Sequence, residues 1–372
     1  MKIVYCIAGL YNSAGMERII TDKVNYFAEK DNDVYVITAE QKGRPVFFPL
    51  HQSVTHIDLG INYNDSIGIC KLFRFWQKHK IHKQRLSEVL CGINADIVIS
   101  TFGNEIFFLH QIKDGSKKIA EIHFCKNYRL KRNRQGIWKL IDWIQTKREN
   151  YIVKRYDKFV TLTEEDKLNW NGYSNVVCIP NFIYHIPNQV SQLKNKEIVA
   201  IGRLSYQKGM DHLINIWRIV SMKRPEWHLS IYGGGDLRDN LLSKISQFNL
   251  SDKITIHNPK KCLTDVYMNS SCYVMTSRYE GLPMVLLEAM SYGLPVVSFA
   301  CPCGPRDLVE NNYNGYLIED YDYSEFSNRI IELIDSIHLR QQLGCNARYK
   351  ALQYTKIVIM KRWEDLFRNM ML

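Results

Sequence analysis

Two carboxylates, Glu280 and Glu288, are the residues whose spacing most directly suggests chemistry. Both lie in TSRYEGLPMVLLEAMSYGLPVVSF, from Thr276 to Phe299. Glu280 falls in a turn with Gly281 and Pro283, after the apolar run CYVMTS. Glu288 falls about one and a half turns inside the short helix expected from Pro283 to Tyr292. At this separation both carboxylates reach one polyhydroxylated ligand, one from a loop and one from a helix. A glutamate in an otherwise apolar helix needs a polar partner, because burying it unpaired is costly. The plainer alternative is an ordinary strand–helix–strand unit with one surface glutamate and one satisfied buried one. Two cations, Arg203 and Lys208, stand in EIVAIGRLSYQKGMDHLI, after a glycine at the end of an apolar run and before a glycine that opens a helix. An arginine fork grips phosphate through two bonds, whereas a lysine acts as a point charge. His123 ends the run KIAEIHF, a position that serves packing as readily as chemistry.

The elements that must carry these residues are short apolar runs alternating with helical patterns. KIVYCIA, DVYVIT, ADIVIST, KIAEIHF and KFVTLT read as strands of one half, and EIVAI, HLSIY, KITIH, CYVMTS and PVVSFA as strands of the other. A helix is expected from Met16 to Lys30, another over 70–90, and a third over 137–156 carrying Trp138, Ile141, Trp143, Ile144 and Ile152. Pro283 suits the first helical position and Gly293 the left-handed stop. Such alternation implies parallel sheets, with ligands beyond the carboxyl ends of the strands and against helix N-termini. The turn GLYNSAG after the first strand has no strict G-x-G-x-x-G, so a dinucleotide fingerprint is not supported. At 372 residues the chain is expected to form two domains.

The E-x7-E spacing within EGLPMVLLEAMSYGLPVV resembles the signature of glycosyltransferase family 4, whose members have the GT-B fold of two Rossmann-like α/β domains facing a cleft. GRL-x4-KG (Gly202, Arg203, Leu204, Lys208, Gly209) is similar to that family's diphosphate clamp, and AGMER (Ala14 to Arg18) to its small-residue turn facing the donor phosphates. The resemblance covers almost the whole chain. It implies an acceptor domain over 1–182, a linker over 183–196, a nucleotide-sugar domain over 197–355, and a helix over 356–372 that crosses back to the first domain. It implies donor contacts from Gly15, Arg203, Lys208, Glu288 and the Gly281–Leu282–Pro283 turn. Glu280 would hold the donor sugar, and His123 would lie near sugar and acceptor. Gly234, Lys260 and Lys261 would lie near the base. Asp307 stands where the family more often has glutamate, and GPRDLV resembles members that build bacterial surface polysaccharides. The activity implied is retaining transfer of a hexose or N-acetylhexosamine, with a UDP-sugar as co-substrate and no metal or other cofactor. The acceptor would be a saccharide, free or polyprenyl-diphosphate-linked. A GT-B sugar-nucleotide epimerase, a non-catalytic basic binding module and a catalytically dead carbohydrate-binding protein are the rival readings.

Net charge is +11 and is concentrated in the first half. Lys71–Arg85 carries six Lys or Arg and no acid, interleaved with Phe73, Phe75 and Trp76. Lys117–Arg134 carries seven against one glutamate. Such patches favour an anionic membrane leaflet, a nucleic acid or a phosphorylated substrate, unless they are solvated helix faces. The acidic pair argues against nucleic acid. No run approaches the ~20 apolar residues of a membrane span, so a cytoplasmic protein, peripheral on the inner face of the plasma membrane, is expected. Ten scattered cysteines without C-x2-C pairs fit free thiols. Asp31-Asn32-Asp33 and Glu319-Asp320-Tyr321-Asp322 read as surface turns rather than metal motifs.

Overall fold

The computed structural model describes residues 1–13, 15–63, 71–132 and 134–372, with main chain only over 71–73. Ala14 of the AGMER turn and the Phe73 side chain therefore lie outside the described residues. Among those described, thirteen strands form two wholly parallel sheets. The first contains β1 (Lys2–Ile7), β2 (Asp33–Thr38), β3 (Thr55–Asp58), β4 (Ile97–Ser100), β5 (Lys117–Glu121), β6 (Lys158–Thr161) and β7 (Val176–Cys178). The second contains β8 (Glu197–Ile201), β9 (His228–Tyr232), β10 (Ile254–His257), β11 (Cys272–Met275), β12 (Val296–Phe299) and β13 (Gly315–Ile318). Spatial order is β3-β2-β1-β4-β5-β6-β7 and β10-β9-β8-β11-β12-β13. In each sheet the order reverses beside the first strand, at β1/β4 and β8/β11, which opens the ligand crevice of a doubly wound fold.

Helices connect the strands. The first domain has α1 (Gly15–Ala28), α2 (Lys71–Ile93), α3 (Ile137–Ile152) and α4 (Glu164–Asn169). The second has α5 (Met210–Lys223), α6 (Arg238–Gln247), α7 (Thr264–Met268), α8 (Met284–Ser291), α9 (Pro305–Leu308), α10 (Tyr323–Asp335) and α11 (Ile337–Leu352). Coverage on both faces explains why the central strands are buried at every position, as β4, β11 and β12 are. The last helix, α12 (Lys356–Met371), does not stay with the second domain. Its Ile359, Met360, Trp363 and Phe367 pack with Ile20, Val24 and Phe27 of α1 in the core of the first domain.

Element ends differ from expectation for local reasons. α1 stops at Ala28 because Asp31 takes a left-handed conformation (φ 57°) before Asp33 opens β2. That turn lies at the amino end of the strand, away from the crevice. β6 stops at Thr161 because Thr163 turns to cap α4, its side chain accepting from the Asp166 N–H at 3.1 Å. Pro283 flanks α8 instead of starting it, with ψ at 90°, and Gly293 closes the helix at φ 75°. Asp322 caps α10 by accepting from the Glu325 N–H at 2.9 Å.

Candidate active site

The strongest convergence lies beyond the carboxyl ends of β8 and β11. Gly209, at φ 62°, packs so closely on the Thr276 carbonyl that no Cβ would fit. The loop before α5 therefore docks onto the end of β11. That docking brings Lys208 to Glu280, and Nζ donates to Oε1 at 2.6 Å. The Ser277 hydroxyl donates to the same oxygen at 2.6 Å, and the Glu280 N–H is tied to the Pro302 carbonyl at 3.2 Å. Glu280 is only 5% exposed, so its charge is met by a cation and a hydroxyl rather than by water. Arg203, at the same end of the sheet, is exposed and pairs with no carboxylate among the described residues. The N–H groups of Gly281 and Leu282 likewise find no protein acceptor there. An exposed guanidinium, two unused amides and the N-terminus of α8 together suit an anion.

Glu288 occupies a neighbouring cavity of about 350 Å³ between the domains, lined by Arg18, Tyr184, Lys261, Thr264, Tyr267 and Glu288. Burial raises its pKa above the ordinary carboxylate value, while the Tyr267 hydroxyl, donating at 3.2 Å, and the Arg18 charge pull it back. Arg18 projects from α1 and stacks over the Tyr184 ring at 4.2 Å. Gly15 begins the same helix, exposed, with open space where a Cβ would be. Of the three residues expected near a base, the two lysines line different cavities. Lys261 lines the Glu288 cavity, whereas Lys260 lies 5.4 Å from the Tyr232 ring and lines a separate cavity of about 420 Å³. A Cβ on Gly234 would meet the Pro259 ring at 3.2 Å. Its neighbours Gly233 and Gly235 are pressed against the carbonyls of Gly202 and Leu204, so two of the three glycines serve packing of the Arg203 loop.

His123 lies across the cleft, and its carbonyl contacts Gly281: a Cβ there would sit 2.6 Å from the His123 oxygen. Its ring Nε2 is 3.2 Å from Glu121 Oε1, which also accepts from the wholly buried Lys23 of α1. Burial alone would raise the Glu121 pKa, yet Lys23 and His123 hold it down to about 2. The Lys23 ammonium in turn stands 4.5 Å from the Trp363 ring of α12. Sequence reasoning found His123 but missed Lys23 and Glu121. The available signal was a lysine inside the apolar run of α1 and an acid two residues before the histidine.

Asp307 also spans the cleft, accepting from the Glu164 N–H at 2.6 Å and the Glu165 N–H at 3.4 Å at the start of α4. Arg306 pairs with Glu165 at 2.8 Å, and the Cys303 thiol approaches Asp166 at 3.4 Å. This part of the loop after β12 joins the two domains. Among the described residues no three His, Cys, Asp or Glu side chains are grouped to hold a metal ion, and the described cysteines are free.

Two parallel α/β domains with a cation–carboxylate cleft and a crossing-back final helix define the GT-B class of glycosyltransferase fold. Residues 185–350 match the family described as Glycosyl transferases group 1. The chain is 28% identical over 375 residues to an uncharacterized glycosyltransferase of Haemophilus influenzae, covering 98% of this chain and 99% of that protein. It is 34% identical over 221 residues to the amylovoran biosynthesis glycosyltransferase AmsD of Erwinia amylovora, covering 56% of this chain and 62% of AmsD. A crystal structure of TarM superposes with a TM-score of 0.80 at 18% identity over 98% of each chain. A Staphylococcus aureus TarM variant in complex with fondaparinux, alpha-GlcNAc-glycerol and UDP gives 0.76, also at 18% identity, over 98% of this chain and 99% of that one.

Proposed function

We propose that this chain is a retaining family 4 enzyme that transfers a hexose or N-acetylhexosamine from a UDP-sugar to a saccharide or polyprenyl-diphosphate-linked saccharide in surface polysaccharide synthesis. The observation that carries this reading is the Lys208–Glu280 pair beside the exposed, unpaired Arg203. Breaking the anomeric C–O bond builds positive charge on the sugar and negative charge on the leaving diphosphate. Arg203, Lys208 and the amides of Gly281 and Leu282 face the negative charge, stabilising it without reorganisation. Glu280 is held so that a lone pair remains for the sugar hydroxyls, and Glu288 accepts from the ribose hydroxyls. His123 approaches the sugar from the first domain, and Gly15 leaves room for the phosphates. UDP in the TarM variant complex and the polysaccharide assignment of AmsD support the donor and pathway class.

In this reading no metal is needed, because the cations of the chain meet the diphosphate charge. The test is a panel of UDP-, GDP- and ADP-sugars, assayed for thermal shift and then for donor hydrolysis, with and without EDTA. Stabilisation by a UDP-sugar and turnover that persists in the chelator are expected. Loss of turnover on chelation, restored by Mg²⁺ or Mn²⁺, sinks the metal-free mechanism.

A lipid-linked acceptor would place the first domain at an anionic membrane, and its basic patches suit that location. The α2 patch is partly engaged internally, however. Lys78 and Arg85 donate to the Asn62 and Leu59 carbonyls, and Phe75 packs against Tyr63 at 5.4 Å.

A further inference from the structure

Helix α3 is turned inside out. Its inward face is polar, with Asp142, Thr146 and Glu149 buried. Its outward face is apolar, with Leu140, Trp143 and Ile144, and together with Ile137 and Trp138 of the first turn these are 45–69% exposed. The inward carboxylates are anchored by arginines from the preceding segment, Glu149 by Arg129 at 2.7 Å and Asp142 by Arg134 at 3.4 Å. A helix covering a water-soluble domain presents the opposite pattern, apolar side in. Trp76 of α2, itself 53% exposed, extends the apolar face beside Gln145 and Arg148 of α3.

We propose that this face of α3 docks on an anionic lipid bilayer, lying in the headgroup region with Trp138, Leu140, Trp143 and Ile144 inserted. Charge commits the surface to that occupant. Both acids within α3 are buried, so the charges it presents outward are the cations Lys139, Lys147 and Arg148, joined by Arg132 just upstream. A second copy of the same face would bring like charges together, and protein interfaces are depleted in lysine. Interleaved tryptophan and lysine on one exposed helix face is instead the pattern of an interfacial helix, where indoles sit at headgroup level and cations meet lipid phosphate. The docking surface rests on the membrane-linked reading above but does not depend on which sugar is moved.

The tryptophans allow a direct test on the unaltered protein. Of the seven, Trp170, Trp217, Trp227 and Trp363 are buried and Trp76, Trp138 and Trp143 are exposed. Quenching by brominated lipid in phosphatidylglycerol-containing vesicles therefore reports this face alone. Wild type is expected to pellet with these vesicles and to be quenched, and the double variant W138E/W143E to partition at least about tenfold more weakly. Hydrolysis of the UDP-sugar donor in solution and the thermal midpoint should be unchanged in the variant, since both side chains are exposed. Wild type that neither pellets nor is quenched, a variant that pellets equally, or a wild-type dimer that the variant abolishes would each overturn the proposal. Absence of donor turnover in both proteins would overturn the transferase reading while leaving the vesicle result to decide this one.

Discussion

Gly281 of the second domain rests against the main-chain carbonyl of His123 in the first, close enough that a Cβ would lie 2.6 Å from the oxygen. The cleft therefore closes at this point backbone to backbone. Gly281→Ala should hold the domains apart by a fraction of a side-chain width. A misplacement of about 1 Å costs on the order of 10²-fold in rate. The expected result is a kcat loss of that size with an unchanged melting temperature, and a wild-type rate would show that turnover does not need this contact.

Arg203 and Lys208 should separate catalysis from folding. Arg203 is exposed and has no carboxylate partner among the described residues, so Arg203→Ala should leave stability unchanged while removing roughly 2–4 kcal/mol of transition-state stabilisation. Lys208→Ala should lower turnover comparably and also lower the melting temperature, because Glu280 is left buried with only Ser277. Near-normal activity of the Arg203 variant at saturating donor would remove it from the clamp.

Glu288 gives opposite pH trends for binding and stability. Burial raises its pKa, so the ionised form that accepts ribose hydroxyls is lost at a higher pH than for an ordinary carboxylate. Donor KM should rise as pH falls through that value. Stability from this group runs the other way: it is fullest in acid and diminishes as pH rises through the folded-state pKa. Glu288→Gln should flatten the pH dependence of KM and slightly stabilise the protein at neutrality. An unaltered KM–pH profile in the variant would place the ribose elsewhere.

Lys23→Met should destabilise by about 3–5 kcal/mol, since it leaves the buried Glu121 with only the His123 ring beside it. Glu121 is depressed from 4.5 to about 2, so its contribution is present above about 4.5 and is lost as pH falls towards 2. Denaturant unfolding in acid and at neutrality should show this component in wild type and not in the variant. An unfolding midpoint equal to wild type at neutrality would mean that the ion pair contributes nothing net.

Most of the strands and the Glu280–Glu288 unit were legible because apolar runs, a helix-flanking proline and a stop glycine are local signals; β3 (THID), a half-exposed edge strand with no apolar run, was not. Arg203 and Lys208 were marked by the glycines beside them, of which Gly209 is required by its docking on the Thr276 carbonyl. Contacts between distant segments were not legible. Nothing near Lys23 announces that its partner is Glu121, and nothing near Asp307 announces the amides of α4. Residues Trp138, Ile141, Trp143, Ile144 and Ile152 marked a helix but not which way it faces. That orientation depends on Arg129 and Arg134 pulling Asp142 and Glu149 inward. Gly234, expected near the base, belongs to a triple glycine whose other two members make room for the Arg203 loop, because close backbone approach has the same local signature whatever approaches.

The placement of α12 in the first-domain core has a consequence for biosynthesis. The Tyr26 hydroxyl bonds Glu364 at 2.9 Å across 338 residues of chain, and Phe27 meets the Phe367 ring at 5.1 Å. At translation rates of about 5–20 residues per second, α1 waits roughly 17–70 s for the helix that covers it. The domain made first on the ribosome is thus finished last. A nascent chain interrupted before α12 leaves Phe27 without the Phe367 ring and the Lys23–Glu121 pair without the Trp363 ring that covers it, an exposed core that chaperones and proteases recognise.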